Sequence, residues 1–252
     1  MYYHLFFVVL FGLIFGSFLG AFTYRFPKKI NFIKGRSFCP FCKTKIKWFD
    51  NIPLFSFFIL NGKCRKCKKK ISLRYPLLEV FSGLAFLLIY YSYQNNIFDL
   101  AICLIFYLIT TSMIVIDFEE GIIPDEFNFV GFTLSFFYII LFRNNFSFQH
   151  IFGGFALSLF MFLIHLFTKG KGMGLGDVKF TLFPGTFLLF PLNIVWLFLS
   201  FIIGSIVGVF MILFNKATFG KPIPFGPFLG FSFIAVLIWG ENLVKWIIPI
   251  FK

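Results

Sequence analysis

The chain is poor in charge, and above all in acids. Of its 252 residues, 23 are Lys or Arg and 10 are Asp or Glu, so charged residues make up only 13%. Soluble domains carry about 25% charged and about 45–50% apolar residues. A hydrophobic share of 59% therefore argues against a water-soluble core. Histidine is scarce too, with His4, His150 and His165 scattered along the chain. No H-E-x-x-H is present, which argues against an intramembrane zinc protease. The scattered histidines argue equally against a Ser–His nucleophile. No P-loop, dinucleotide fingerprint, internal repeat or low-complexity linker stands out. A basic region ahead of the first apolar run is also lacking, since Arg25, Lys28 and Lys29 follow it. That is not the layout of a cleavable signal peptide.

Long hydrophobic runs are what the chain does have. A bilayer span needs about 20 apolar residues. Eight runs are read as spans, at about 3–24, 76–94, 98–117, 127–142, 151–168, 179–191, 193–214 and 226–249. The fourth and sixth are short. Only "FPLN" separates the sixth from the seventh, so those two are either neighbours or one broken segment.

The cations are clustered. Between Arg25 and Arg74 lie 15 of the 23 Lys and Arg residues, against one acid, Asp50. The formal charge of +13 raises nucleic acid as a partner. A basic block between two hydrophobic spans reads instead as a cytoplasmic loop under the positive-inside rule. No nucleic-acid partner is expected; the bilayer is. This places the N-terminus outside and the segments 25–75, 118–126, 169–178 and 215–225 inside. Lys169, Lys171, Lys216 and Lys221 then fall inside, Lys179 lies at an edge, and Arg143 is the main exception outside.

Four of the five cysteines sit in that loop. Cys39, Cys42, Cys64 and Cys67 form "CPFC" and "CRKC", a C-x2-C-x21-C-x2-C pattern. Two such knuckles can present four thiolates to one zinc ion. Neighbouring Lys and Arg should favour the thiolates. A pair of redox C-x-x-C motifs is the rival, and disulfides are disfavoured in a reducing cytoplasm. Cys103, inside an apolar run, reads as a small packing residue. The loop also holds "WFDNIPLFSFFILNGKC", residues 48–64. That apolar stretch either lies on the membrane or lines a pocket, or forms the small core of a zinc domain. The fold class expected is thus an all-α polytopic membrane protein of about eight transmembrane helices with a small zinc-binding cytoplasmic loop domain.

With so few acids, each one near a span is a functional candidate. Asp117 ends the third run in "SMIVIDFEEGIIPDE", and Asp177 opens the sixth in "GMGLGDVKF". Both fall at the cytoplasmic face of the topology above. Two carboxyls sharing a site cannot both ionise cheaply, so one keeps its proton. The ionised partner can then activate a water while the protonated one donates to a developing oxyanion. Glycines beside Asp177 would admit a substrate backbone closely and allow unusual backbone angles. The alternative is that both are helix-end residues facing water, with Asp177 as an N-cap. Glu119, Glu120, Asp125 and Glu126 read as a solvated turn.

Five stretches in order carry a family resemblance: "FGSFLGAFTYRFP" at 15–27, the cysteine loop with its flanks at 36–79, "IDFEEGIIPD" at 116–125, "GMGLGDVKF" at 172–180 and "PIPFGPFLG" at 222–230. With them the chain resembles the bacterial type IV prepilin peptidases, bifunctional leader peptidase/N-methyltransferases. The resemblance implies a GxGD-type aspartic peptidase with Asp117 and Asp177 catalytic and Gly174, Gly176, Asp125 and Lys179 supporting. It implies a zinc-binding loop at Cys39, Cys42, Cys64 and Cys67. It also implies methyl transfer from S-adenosylmethionine, with Gly62, Tyr75 and Glu79 in positions associated with that activity. The implied substrates are type IV prepilins and pseudopilins, cleaved at the cytoplasmic face of the bacterial inner membrane. The domains would be a first span at 1–24, the tetracysteine domain at 25–75 and the peptidase domain at 76–252. The chain departs from the family pattern at Ala21 and Phe22, where Asn-Val is common. Rival readings are a peptidase without methyl transfer, a non-enzymatic assembly factor with a zinc docking loop, and a proton-coupled transporter.

Overall fold

In the computed structural model, residues 3–31, 36–142, 148–214 and 223–247 are described. Arg143, Lys216 and Lys221, and the side chain of His150, lie outside them. Nine α-helices are present among the described residues. They are α1 (Tyr3–Arg25), the short α2 (Phe55–Ile59), α3 (Arg74–Tyr93), α4 (Ile97–Glu120), α5 (Asp125–Phe142), α6 (Phe148–Phe167), α7 (Leu175–Phe187), α8 (Leu192–Leu213) and α9 (Gly226–Ile247). All but α2 correspond one for one to the eight apolar runs. By length and composition α1, α3, α4, α5 and α8 can each cross a membrane. Ile151–Phe167 and Gly226–Gly240 are shorter apolar helices. The sixth and seventh runs are two helices, because the chain leaves α7 at Leu188 and re-enters a helix after Pro191.

The chain forms two compact units, Met1–Leu104 and Ile105–Lys252. In the first, α1 packs along α3. In lipid no hydrophobic force drives helices together, so close backbone approach through small residues takes its place. Gly12, Gly16 and Gly20 supply it at four-residue spacing. A Cβ added at Gly16 would lie 2.7 Å from the Cα of Glu79.

In the second unit α7 is the centre, touching α5, α6, α8 and α9. Thirteen residues make a helix of about 20 Å, too short for a hydrocarbon core of about 30 Å. It is short but enclosed. From Asp177 to Leu188 every residue except Lys179 and Leu182 is buried. Its aromatic face joins a cluster in which Phe106 meets Phe187 at 4.6 Å and Phe183 meets Phe233 at 5.3 Å between ring centres. The indole N–H of Trp196 on α8 donates to the Leu229 carbonyl of α9 at 2.9 Å. On the other side α6 lies almost against the α7 backbone. A Cβ added at Gly185 would stand 2.9 Å from the Cα of Gly154.

Filling a tight core typically costs about 1–3 kcal/mol. Gly154→Val is therefore expected to lower the midpoint of thermal inactivation in detergent by several degrees. An unchanged midpoint would contradict this packing.

Candidate active site and metal centre

Asp117 lies in the last turn of α4, which runs on to Glu120, and Asp177 is the third residue of α7. They are only 5% and 7% exposed. Neither is a helix-end residue facing water. Gly174, in extended backbone, occupies the N-cap position of α7, so Asp177 is not the cap itself. Its Oδ2 accepts a hydrogen bond from the Gly174 N–H at 3.1 Å, satisfying a donor that the helix start leaves open. The Asp117 and Asp177 carboxyls are near enough for their charges to act on one another.

Asp117 is less well provided for. Its Oδ2 is buried without a well-formed hydrogen bond among the described residues, and the Gly226 backbone N–H faces the carboxyl. Leaving such a group unsatisfied costs roughly 1–3 kcal/mol. An orphan oxygen of this kind is suited to a water or a reacting group. Gly226 opens α9, and a Cβ there would stand 2.5 Å from Asp117 Oδ2. No other residue type fits without displacing the carboxyl.

The glycines of "GLGD" act through space. Gly174 has φ −76, which any residue adopts. A Cβ on it would lie 3.2 Å from Asp177 Oδ2, and one on Gly176 would lie 3.2 Å from Ile123. Unusual backbone angles at these positions are not what the structure uses. The acids of the following turn are exposed, and Asp125 begins α5. Lys179 Nζ lies 2.8 Å from each Asp125 oxygen, tying the start of α5 to the start of α7. An exposed pair of this kind contributes at most about 1 kcal/mol, so its effect is positional.

Two residues that sequence reasoning did not single out complete the surroundings. Gly226 was visible only as part of "PIPFGPFLG". His165, near the end of α6, has Nδ1 2.7 Å from the Met173 carbonyl, one residue before Gly174. A lone histidine inside an apolar run was the signal available for it.

The four loop cysteines converge. Their sulfurs all lie within 4.8 Å of one another. Cys39 meets Cys67 at 3.9 Å, and Cys42 meets Cys64 at 4.0 Å. A tetrahedral zinc–thiolate site with bonds of about 2.3 Å has edges of about 3.8 Å, so the set fits that ion. The two knuckles share one geometry. Cys39 N–H donates to the Thr44 carbonyl and Cys64 N–H to the Lys69 carbonyl, at 3.0 and 2.9 Å. Lys43 and Lys68 take the matching left-handed positions, φ 54 and 59.

Hydrogen bonds, rather than the neighbouring cations, set the thiol acidities. The Thr44 hydroxyl beside Cys42 lowers that thiol to about 6. A Cys67 backbone bond lowers Cys64. At Cys67 a Lys69 backbone bond is outweighed by desolvation and the neighbouring sulfurs, which push it up to about 11. Arg65, between the second pair of cysteines, clamps Asp50 at 2.6 and 2.9 Å and holds that carboxyl below its usual range.

The apolar stretch 48–64 is not the core of this cysteine domain. Trp48, Phe55 and Phe58 are 74%, 60% and 72% exposed. Its backbone is pinned at Leu54, whose N–H donates to Glu79 Oε2 at 2.8 Å. Glu79 is buried on α3 against α1. Tyr75, one turn earlier, packs under Gly20, and the Arg74 guanidinium lies 5.8 Å over its ring. Gly62 sits instead at the approach to the second knuckle. It needs to be glycine, because its φ is +65 and a Cβ would meet the Phe57 ring at 3.1 Å. Cys103 is buried, as a packing residue should be.

Fold and site together define an all-helical, multi-pass membrane protein with two buried carboxyls in one unit and a four-thiol cluster in the other. Residues 10–93 match the family model described as the bacterial peptidase A24 N-terminal domain. Residues 104–209 match that of the type IV leader peptidase family. A prepilin leader peptidase/N-methyltransferase of Legionella pneumophila is 33% identical over 87% of this chain and 78% of its own length. One from Pseudomonas aeruginosa is 31% identical over 85% and 75%, and one from Vibrio cholerae 32% over 84% and 88%. No solved structure matches the chain significantly. The chain belongs to the type IV leader peptidase family and is a multi-pass protein of the inner membrane.

Gly226→Ala is expected to reduce the leader-peptidase activity of this family at least tenfold while leaving the cysteine cluster able to take up metal. Turnover unchanged in that variant would show that the Gly226–Asp117 contact does not matter.

Proposed function

We propose that the chain cleaves the short basic leader from type IV prepilins and pseudopilins through Asp117 and Asp177, and then N-methylates the new terminus. The observation that carries the peptidase assignment is the pairing of two buried carboxyls, one with an orphan oxygen, beside glycines whose lack of a side chain leaves room for those carboxyls. One carboxylate takes a proton from water as the water oxygen attacks the scissile carbonyl. The other, protonated, donates to the oxyanion that forms. The proton then passes to the leaving amine as the carbon–nitrogen bond breaks. Lys179 and Asp125 hold the starts of α7 and α5, and Gly174 and Gly176 leave room for the Asp177 carboxyl and for Ile123.

The charge distribution supports an orientation with the N-terminus outside and the aspartates toward the cytoplasm. Residues 25–75 then form the cytoplasmic domain, with 1–24 as first span and 76–252 as peptidase domain. Cys39, Cys42, Cys64 and Cys67 would hold a zinc ion that folds this Lys-rich loop. S-adenosylmethionine, when bound, supplies an electrophilic methyl group on sulfur. Glu79 and Tyr75 hold α3 against α1, and Gly62 shapes the second knuckle, within that same unit.

Asp117→Asn and Asp177→Asn are each expected to abolish leader removal from a purified prepilin, read by mass spectrometry, without impairing membrane insertion. Normal processing by either would refute the assignment. Cys64→Ser should lower zinc content below one ion per chain. In the unaltered protein zinc should be released progressively on acidification, since protons compete with the ion for all four thiolates. Zinc content unchanged by Cys64→Ser would contradict the tetrathiolate site.

A further inference from the structure

His165 lies in the last turn of α6, and the mechanism above does not use it. The chain turns back directly after it. Lys169 and Gly170 both take left-handed backbone, with φ 51 and 75. The Gly170 N–H donates to the His165 carbonyl at 2.9 Å and closes the turn. Three contacts fix the imidazole. The Phe162 ring, one turn earlier, lies nearly parallel to it with centres 6.3 Å apart. Gly170 lies close to its edge, where a Cβ would stand 3.3 Å from Cε1. The third contact is polar: Nδ1 lies 2.7 Å from the Met173 carbonyl oxygen. A carbonyl only accepts, so Nδ1 carries the proton.

That carbonyl belongs to the same amide as the Gly174 N–H. A planar trans peptide holds its C=O and N–H rigidly in opposite directions. The oxygen accepts from His165, and the N–H donates to Asp177 Oδ2 at 3.1 Å. Among the described residues this is the hydrogen bond that the Asp177 carboxyl receives. Turning the plane of that peptide would break both bonds together. Gly174 flanks the plane, and a glycine puts little steric resistance in the way of such a turn. A loose peptide is thus clamped by its oxygen. Hydrogen bonds linked through one amide also polarise each other.

We propose that His165 is a positioning residue of the leader-peptidase site, acting on the Asp177 carboxyl through the Met173–Gly174 peptide. This rests on the reading of Asp177 as catalytic. The contribution is orientation. With Oδ2 held, the carboxyl cannot turn about its Cβ–Cγ bond, and it keeps its alignment with Asp117. Misplacing a reacting group by about 1 Å can cost about 100-fold in rate. A protonated imidazole also donates from Nδ1, so the clamp holds in either charge state of the ring.

The test is single-turnover cleavage of a purified prepilin by the full-length protein in detergent, with enzyme in excess. The amplitude counts folded enzyme, and the rate constant at saturating enzyme reports the site. His165→Leu should keep the amplitude and the half-saturating concentration but lower the rate constant roughly tenfold, about the worth of one hydrogen bond. His165→Asn places an N–H where Nδ1 stands and should restore most of the rate. His165→Gln carries its N–H one carbon further and should not. An unchanged rate constant in His165→Leu, with or without a lower amplitude, would reduce His165 to a loop staple and overturn the proposal. A rise in the half-saturating concentration alone would assign it to substrate contact and overturn it equally. Should His165→Leu yield no folded protein, equal rate constants for the Asn and Gln variants would overturn it. In each of these cases the catalytic reading of Asp177 stands; that reading falls only if Asp177→Asn still cleaves.

Discussion

Burying two carboxyl groups among apolar helices is the constraint on which the second unit depends. A carboxyl taken out of water must be hydrogen-bonded, paired or put to use. Asp177 is satisfied locally, by the first N–H of its own helix. Asp117 is left with an orphan oxygen beside a glycine that cannot be enlarged. The surrounding arrangement follows from keeping these groups in place. α7 is short, enclosed and contacted by four other helices. Its start is held by Lys179 to α5 and, through Met173 and His165, to α6. Small residues at Gly153, Gly154 and Gly185 let α6 lie closely against the other end of α7.

The first unit solves a different problem. The lysine-rich loop leaves the apolar side chains Trp48, Phe55 and Phe58 exposed, so it does not fold around a core of its own as an ordinary domain does. Four convergent thiols replace a core, and the apolar stretch that a core would have absorbed is exposed instead. That stretch is anchored through its backbone to Glu79, inside the helical pair. Arg65 links it back to the second knuckle through Asp50. The apolar stretch is therefore tied both to the α1–α3 pair and to the second knuckle.

Much of this is legible in the amino-acid sequence. Eight apolar runs became eight helices, five of them long and apolar enough to cross a membrane, whereas the sixth run became the short enclosed α7. The cysteine spacing also read true, because a C-x2-C pair is a local geometry. The carboxylates were identifiable by scarcity. What was not legible were contacts between distant segments. Gly226 touching Asp117 spans more than a hundred residues, and nothing in "PFGP" by itself names its neighbour. His165 looked like an isolated residue in an apolar run until the loop after it was placed. The thiol acidities were misattributed for a similar reason: lysines are conspicuous in sequence, whereas a Thr44 hydroxyl and a few backbone N–H groups are visible only in the fold. The role of Gly174 was likewise sterical, not conformational, and sequence cannot separate the two.

The most direct test of the central claim, that Asp117 and Asp177 form one site, is proximity in the membrane. The doubly substituted protein Asp117→Cys/Asp177→Cys would be treated with a short bifunctional thiol reagent in native membranes, and bridged peptides identified by mass spectrometry. Asp125→Cys/Lys179→Cys, whose natural side chains are ion-paired, serves as the reference for contact. The account predicts that both pairs are bridged. Bridging of the reference pair alone would mean that the two aspartates do not share a site.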